Sequence, residues 1–324
     1  MKRLLPALRS PPDPNGPSAA GQQHVSSTAS ALRARRTGLL CLAVTAFGWG
    51  VNWPVMKALL REWPPLSARG WAGVTAALGL AVLAASRGER LAVPRRAVGR
   101  LLLAAAANVT AWMGLATLCM LWLSVAEGAL LVYTMPIWAA LLAWPVLGER
   151  PTARGLAALA LGVCGIAVLL GARVDGGPAL GPEKLPGVLL ALGAAVLFAL
   201  GAVTARRSPL ALPPLSSVAW QVGLGCLPMV IAGLLFERPD PHALTAVGWA
   251  AMAYMAVVPM GVCYLTWFAA LKRLSPATAS VATLLTPLVG VVAAALALGE
   301  PLGAREALAL ALTLGGVALA LGKT

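Results

Sequence analysis

The chain has 324 residues, of which 59% are hydrophobic and 11% are charged, and its mean hydropathy is +0.82. Soluble globular domains carry about 25% charged residues, so this composition excludes an ordinary soluble domain and predicts an integral membrane protein. The net charge of +14 does not indicate nucleic-acid binding, because the aromatic residues lie inside apolar stretches and not among the basic residues.

Residues 1–36 are polar and rich in Pro, Ser, Gly and Gln. No apolar core of signal-peptide length follows the basic start, so we predict a disordered cytoplasmic tail. Ten apolar runs follow, each close to the ~20 residues that a helix needs to cross a bilayer. The eighth run is overlong and contains Pro259, which predicts a kink or a strong tilt. The predicted helical spans are Thr37–Met56, Leu66–Ser86, Leu101–Leu123, Val125–Leu147, Gly155–Leu170, Leu185–Ala205, Leu215–Phe236, Ala243–Leu271, Pro276–Leu298 and Glu306–Leu321.

The basic residues between these spans predict the orientation of the chain. With the tail inside, 18 of the 25 Lys and Arg residues lie on the inner side and 7 on the outer side. Cytoplasmic loops of membrane proteins carry the excess of positive charge. We therefore expect a multi-pass protein of the bacterial inner membrane, with both termini in the cytoplasm.

The chain contains one pattern twice. Adding 151 to the residue numbers of the first copy gives the same residues in the second, and similar identities link the earlier helices. We predict two repeats of five helices, residues 37–171 and 185–322, joined by a linker at 172–184. Because five is odd, the second repeat must cross the membrane with inverted topology, as in many alternating-access transporters. The matching residues are Leu123-Ser124 with Leu274-Ser275, Pro136 with Pro287, Gly148-Glu149 with Gly299-Glu300, Arg154 with Arg305, Gly165 with Gly316, Gly171 with Gly322, and Pro64-Pro65-Leu66-Ser67 with Pro213-Pro214-Leu215-Ser216.

Three segments of the first repeat resemble the EamA family of the drug/metabolite transporter superfamily. They are the first-span segment from Trp49 to Lys57, Pro65 followed by Arg69, and the hairpin from Pro136 to Pro151. The resemblance covers about residues 37–322 and implies a ten-helix secondary transporter, usually an exporter of metabolites, amino acids or drugs. The second repeat departs from the first at Val203 and Val218, which stand where the first has Asn52 and Arg69.

The predicted function is therefore secondary active export of a small molecule, with proton coupling as one energy source. The alternatives are a membrane-embedded enzyme and a channel or sensor without coupled transport. An enzyme is not expected, because the spans contain no histidine and no aspartate. An ATP-driven pump is excluded because the chain has no phosphate-binding loop.

Polar residues inside membrane spans are costly, so each is a candidate for function. In the first span Trp49, Asn52, Trp53 and Met56 share one helical face, and Pro54 leaves the Gly50 carbonyl unbonded near it. This face could line a substrate cavity. Alternatively, Trp53 belongs to an aromatic belt at the membrane surface and Asn52 bonds a neighbouring helix.

Three charged residues near span ends have two interpretations each. Lys57 could meet an anionic substrate group or pair with Glu127, or it could simply reach the membrane surface, and Arg69 has the same alternatives. Glu127 could bind a cationic substrate or a coupling proton. However, Ser124 to Glu127 also has the pattern of a capping box at a helix start.

Further polar and aromatic residues lie on faces that could turn inward, which suits an amphipathic small molecule. Each could equally serve helix packing. These candidates are Asn108, Trp112, Thr134, Trp138, Gln221, Tyr264 and Trp267.

No metal site or cofactor is expected, since the five cysteines lie singly in apolar segments and the two histidines lie outside the spans. Small residues line a face of the fifth span, including Gly162 and Gly165, and a face of the tenth formed by Ala307, Ala311 and Gly315. Such faces let helices approach closely, so we predict that they pack either on each other or in a homodimer.

Overall fold

A computed structural model describes residues 19–150, 152–170, 181–274 and 276–321, with side chains from residue 32 onward except 169–170, 276–284 and 320–321. Throughout these residues the chain is helical and has no strand, so the prediction of an all-α fold is confirmed. The helical segments are α1 (Ala19–Leu59), α2 (Pro65–Ser86), α3 (Arg95–Leu121), α4 (Val125–Leu147), α5 (Ala153–Leu170), α6 (Leu185–Arg207), α7 (Pro214–Glu237), α8 (Ala246–Leu271), α9 (Pro276–Leu298) and α10 (Ala304–Leu321).

Seven of these helices are long and apolar enough to cross a membrane, and apolar stretches at Ala153–Val168 and Leu285–Leu298 are shorter. Large apolar side chains cover the outside of the bundle. Phe236 is 81% exposed and Leu296 is 84% exposed. A soluble protein of this size would not leave so many large apolar groups in water. The exposed surface is therefore suited to lipid.

The first helix begins earlier than the sequence predicts. Residues 19–36 belong to α1, although we expected them to lie in a disordered tail. This stretch is rich in Ala and has no proline, so the helix extends continuously from the apolar span. Residues 1–18 of the predicted tail, and residues 172–180 of the predicted linker, lie outside the described part of the chain.

The helices pair across the two halves of the chain. Helix α2 packs along α7, and α5 packs along α10. Helix α1 contacts α8 and α9, while α6 contacts α3 and α4. Gly70 allows α2 to approach α7, since a Cβ at this position would lie 2.7 Å from the backbone nitrogen of Val230.

Two glutamates hold the α2–α7 pair at opposite ends. Glu237, at the end of α7, accepts hydrogen bonds from the backbone nitrogens of Leu66 and Ser67 at the start of α2. Glu89, just after α2, accepts one from the backbone nitrogen of Ser216 at the start of α7. Each glutamate thus satisfies backbone N–H groups that the first turn of a helix leaves unbonded.

The two repeated Gly-Glu turns share a left-handed glycine conformation. Gly148 ends α4 with φ = 77°, and Gly299 follows α9 with φ = 68°. Glycine adopts this left-handed conformation without a steric penalty, which allows the helix to end there. We call the side of the bundle with Glu149 the Glu149 end. The opposite side, where Glu300 bonds the start of α4, is the Glu127 end.

Small residues bring α5 and α10 together within the chain, one of the two arrangements predicted for them. A Cβ at Gly165 would lie 2.5 Å from Thr313 Oγ1, and one at Gly316 would lie 2.8 Å from the Ala158 oxygen. The prediction of which face of α10 packs against α5 is wrong. Ala307, Ala311 and Gly315 are exposed, because α10 has small residues on several faces and the buried one carries Ala309, Thr313 and Gly316. The homodimer stays a prediction.

Candidate functional site

A central cavity of about 470 Å³ lies between the two halves of the bundle, with walls from α1, α2, α3, α4, α6, α7, α8 and α9. Its volume falls in the range of small-molecule sites, about 300–1,000 Å³. Many of the lining residues come from the predicted inward faces of α1, α3 and α8. The position between helices of both halves of the chain makes it the candidate functional site.

Seven aromatic residues contribute rings to the wall. The ring centroid of Trp49 lies 5.7 Å from that of Tyr264 and 5.8 Å from that of Trp267. On the other side Trp112 stacks against Phe198 at 5.3 Å. Pairs at these distances stabilise one another and present large, rigid apolar surfaces. The cavity is therefore suited to a ligand with a flat or apolar body.

Three amide side chains supply the main neutral polar groups. Asn108 Nδ2 donates to Gln221 Oε1 at 3.4 Å, and Gln221 Nε2 donates to Ser217 Oγ at 3.0 Å. Among the described residues, three buried polar atoms have no hydrogen-bond partner: Asn52 Oδ1, Asn108 Oδ1 and Trp112 Nε1. All three belong to residues that line this cavity. Buried polar groups are normally bonded, so these atoms mark positions where a ligand or water can bind.

Arg69 carries the only charge among the described residues that line the cavity. It is 7% exposed, and its Nε donates to Thr117 Oγ1 at 3.2 Å. Within the described part of the chain, no carboxylate forms an ion pair with it and no hydrogen bond engages its terminal nitrogens. An ionised side chain inside a membrane protein commonly faces a cavity or the bundle interior, and Arg69 does so.

Two wide helical turns shape the cavity wall. Residues Ala106–Ala111 of α3 and Val258–Val262 of α8 form π-helical turns. The first contains Asn108, and the second contains Pro259. The Pro259 carbonyl accepts a hydrogen bond from Trp49 Nε1 at 2.9 Å. The proline in the overlong eighth span thus coincides with a local π-helical turn, and such turns often occur at functional sites.

A second cavity adjoins the central one on the side of the Glu149 end. This cavity of about 350 Å³ shares Pro136, Ala139 and Ala202 with the central one and extends to Glu149 and Arg206. The carboxylate of Glu149 forms an ion pair with Arg206 at 2.9 Å, and both side chains are more than half exposed. Both charged groups are therefore accessible to solvent at this end.

Charged side chains close the Glu127 end. Glu127 is 2% exposed, and its carboxylate pairs with Lys184 Nζ at 2.8 Å and lies 3.7 Å from Arg305 Nη2. Arg305 also pairs with Glu306 at 2.9 Å. Glu300 accepts a hydrogen bond from the Val125 backbone at 2.8 Å. We call these five residues, Glu127, Lys184, Glu300, Arg305 and Glu306, the Glu127 cluster. They join α4, the turn that precedes α6, and α10 with the loop before it.

Glu127 does not line the cavity, contrary to the cavity prediction. It forms the capping box recognised in the sequence: the Ser124 hydroxyl accepts from the Glu127 backbone at 3.2 Å, and the Glu127 carboxylate accepts from the Ser124 backbone at 2.9 Å. Its ion pairs then hold the carboxylate in the Glu127 cluster. The capping alternative is confirmed.

Lys57 also lies away from the cavity. Its Nζ donates to the Leu123 carbonyl at 2.7 Å and to the Met120 carbonyl. It therefore binds the carbonyl groups left unbonded at the end of α3, where a positive charge is stabilised by the helix dipole. No carboxylate among the described residues pairs with it.

The helix break in α4 turns two further candidates out of the cavity. Helix α4 is interrupted by a turn at Tyr133 and Thr134. The Thr134 hydroxyl donates to the Leu131 carbonyl at 2.6 Å and accepts from Trp138 Nε1 at 3.1 Å. The pair satisfies its own polar atoms, and neither residue is part of the cavity lining. The face predicted from regular helical spacing was wrong because the helix is not continuous there.

The other nine candidates come together at the cavity, although ligand binding by them stays a prediction. Sequence reasoning missed Thr117, Tyr133, Phe198 and Thr286, which also line it. The sequence contained one indication for Phe198, because it matches Phe47 in the pattern that occurs twice. Phe47 itself, however, is 64% exposed on the outside of the bundle. The predicted residues that line the cavity are Trp49, Asn52, Met56, Arg69, Asn108, Trp112, Gln221, Tyr264 and Trp267.

Known proteins resemble the chain over most of its length. It is 30% identical to the uncharacterized transporter YvbV of Bacillus subtilis, over 82% of this chain and 85% of that one. It is 32% identical to the aromatic amino acid exporter YddG of Ancylobacter novellus, over 60% and 66%. A probable amino-acid metabolite efflux pump of Salmonella typhimurium is 27% identical, over 83% and 89%.

A protein of known crystal structure shares the fold, with a TM-score of 0.62 at 21% identity over 89% of this chain and 96% of that one. The EamA-like transporter family matches residues 36–171 and 185–322. Together with the membrane-length helices, this match identifies a multi-pass integral membrane protein. The chain belongs to the EamA-like transporter family.

Proposed function

We propose that the protein is a secondary active transporter that exports a small amino-acid metabolite by alternating access. The observation that carries this proposal is the central cavity, which adjoins a second cavity at the Glu149 end, while ion-paired side chains occupy the Glu127 end. A binding site open to one side only is one of the two states that alternating access requires. The membrane transporters among the relatives support the same class of function.

The helix contacts support two inverted five-helix repeats. Exchanging each helix for its counterpart, α1 for α6, α3 for α8 and α4 for α9, turns the contacts of α1 with α8 and α9 into those of α6 with α3 and α4. The pairs α2–α7 and α5–α10 map onto themselves. A pseudo-two-fold axis in the membrane plane would produce this pattern, and rocking of the two halves about the cavity would expose it to alternate sides.

The excess of Lys and Arg favours a cytoplasmic position for the Glu149 end in the bacterial inner membrane. The state described here would then face inward, ready to receive a substrate from the cytoplasm. Export is supported by the printed names of several relatives, among them the aromatic amino acid exporter.

The cavity lining supports an amphipathic substrate of amino-acid size. Aromatic walls can hold an apolar side chain, and amides can orient polar groups. Relatives named for aromatic amino acids, amino-acid metabolites and terminal-alkyne amino acids point to the same class of molecules.

The energy source we propose is an ion gradient, with protons as the first candidate. No carboxylate lines the cavity among the described residues, so a coupling proton would have to bind elsewhere. Glu127 is the candidate, since its buried carboxylate links α4 to Lys184, just before α6, and to Arg305 of α10. In this scheme protonation would weaken the cluster and favour opening of the Glu127 end.

Everted inner-membrane vesicles test the proposal directly. Vesicles that contain the protein should accumulate radiolabelled phenylalanine or a related amino acid faster than vesicles without it, and a proton gradient should increase the rate. Ala202→Trp, which narrows the connection between the two cavities, should abolish this uptake, whereas the same change at the lipid-facing Leu296 should not. A panel of amino acids and metabolites that all fail to enter would contradict the transporter assignment. Equal flux with and without any gradient would instead favour a channel.

A further inference from the structure

We propose that Arg69 is the residue that selects the cargo by its carboxylate, so that the transporter accepts carboxylates and amino-carboxylates and rejects amides and amines with the same body. This inference rests on the proposed transport function. It adds the charged group that the substrate must carry and the side chain that recognises it.

The first argument is that the protein itself leaves Arg69 without a counter-charge. Its guanidinium is buried, and Thr117 Oγ1 is its one hydrogen-bond partner within the described residues. A buried charge is costly unless it is paired or hydrogen-bonded. A carboxylate bound in the cavity could pair with the free edge of the guanidinium through two parallel hydrogen bonds.

The second argument is the contrast with three partly buried cations. Arg305 is paired with Glu306 at 2.9 Å, and Lys184 is paired with Glu127 at 2.8 Å. Lys57 is bonded to backbone carbonyls at the end of α3. Each of these residues has an acceptor that the protein supplies. Arg69 is the one that faces the cavity.

The third argument is that the cavity also lacks partners for neutral polar atoms. Asn52 Oδ1 and Asn108 Oδ1 accept no hydrogen bond, and Trp112 Nε1 donates none, among the described residues. The amide oxygens can accept from an ammonium group, and the indole N–H can donate to an anion. A ligand that has both an amino group and a carboxylate would satisfy both kinds of site.

Charge also explains why a carboxylate fits better than a phosphate or a cation. A phosphate monoester carries about two negative charges at neutral pH, whereas the described lining provides one positive charge. A cationic amide or amine would bring a like charge near Arg69 in a region of low dielectric constant, which disfavours binding. Aromatic rings attract cations, but no carboxylate in the described lining offsets the repulsion.

Binding to the purified full-length protein in lipid nanodiscs provides the test, with quenching of tryptophan fluorescence as the readout. The probes are L-phenylalanine, 3-phenylpropionate and L-phenylalaninamide, which share the phenyl body and differ in charge. Wild-type protein should bind the first two at least roughly tenfold more tightly than the amide. Arg69→Gln should weaken binding of both carboxylates roughly tenfold to a hundredfold and remove the discrimination against the amide.

Two further variants keep the result interpretable. Thr117→Asp leaves Arg69 in place but supplies a counter-charge next to it, so it should have the same effect as Arg69→Gln. Arg87→Gln removes an exposed arginine at the end of the same helix and should leave all three affinities unchanged. If Arg69→Gln does not fold, as judged by gel filtration and thermal unfolding, Thr117→Asp decides the question.

The proposal is overturned if wild-type protein binds the amide as tightly as phenylalanine, or if it binds neither carboxylate. It is also overturned if folded Arg69→Gln, or Thr117→Asp where Arg69→Gln does not fold, keeps the wild-type preference for carboxylates. Flux in proteoliposomes separates this result from the proposed function. Charge-selective binding without any flux would contradict transport and leave the role of Arg69 intact. Flux that does not depend on Arg69 would support transport and contradict the proposed role of Arg69.

Discussion

Replacing Glu127 by glutamine should open the Glu127 end of the bundle. The amide keeps the shape of the side chain and can still accept the hydrogen bond from the Ser124 backbone, so the helix cap survives. The negative charge that faces Lys184 and Arg305 is lost. We therefore expect the closed arrangement to weaken while the fold is retained.

The magnitude follows from how each cation is placed. Removing one partner of a fully buried ion pair costs about 3–5 kcal/mol. Here the Lys184 side chain is 31% exposed, and Arg305 keeps its pair with Glu306, so a cost of about 2 kcal/mol is reasonable. Since 1.4 kcal/mol corresponds to a factor of ten, the open population should rise roughly thirtyfold.

Thiol labelling measures this change. Met120 lines the cavity and is 1% exposed, so a Met120→Cys variant without the native cysteines should react slowly with a membrane-impermeant maleimide added outside the cell. A second substitution in this variant, Glu127→Gln, should raise the rate of maleimide labelling roughly thirtyfold. Glu149→Gln is the matched control, because its pair with Arg206 is exposed and worth at most about 1 kcal/mol.

An unchanged labelling rate in Glu127→Gln would refute the idea that this cluster holds the end closed. A separate outcome concerns proton coupling. If Glu127→Gln transports substrate with the wild-type dependence on pH, the proposed role of this carboxylate as a proton carrier is wrong.

Two further predictions concern stability in detergent. Gly165→Leu should lower the free energy of unfolding by about 1–3 kcal/mol, because its side chain would collide with Thr313 and the α10 backbone. Gly315→Ala should not lower it, since no atom of a neighbouring helix lies within 4 Å of the Cβ position and alanine favours a helix over glycine. Equal unfolding midpoints for these two variants would contradict the α5–α10 packing. Glu237→Ala should cost about 1–3 kcal/mol by leaving backbone N–H groups at the start of α2 unbonded, and Glu237→Gln should recover part of the loss. A thermal-shift assay that finds Glu237→Ala as stable as the wild type would exclude the cap.

The sequence was most informative where one continuous helix carries the signal. The face with Trp49, Asn52 and Met56 could be predicted because regular helical spacing sets it and α1 stays helical through Pro54. The positions of Thr134 and Trp138 could not, because the break in α4 changes the phase of the helix there.

Contacts between distant segments account for the remaining differences. Lys57 is held by carbonyl groups that become available only where α3 ends beside α1. Thr117 was not a candidate at all, since its significance comes from the bond to Arg69 on another helix. Spacing along one helix contains no information on either contact, so these roles needed the packed structure.

The reciprocal glutamate caps on α2 and α7 have a consequence for folding. The acceptor for Ser67 in the first half is Glu237 in the second half, and the acceptor for Ser216 in the second half is Glu89 in the first. Neither half alone can satisfy these backbone groups, which would remain unbonded in a membrane until the other half is inserted. The two halves should therefore gain stability together, as one cooperative folding unit, although each contains its own set of helices.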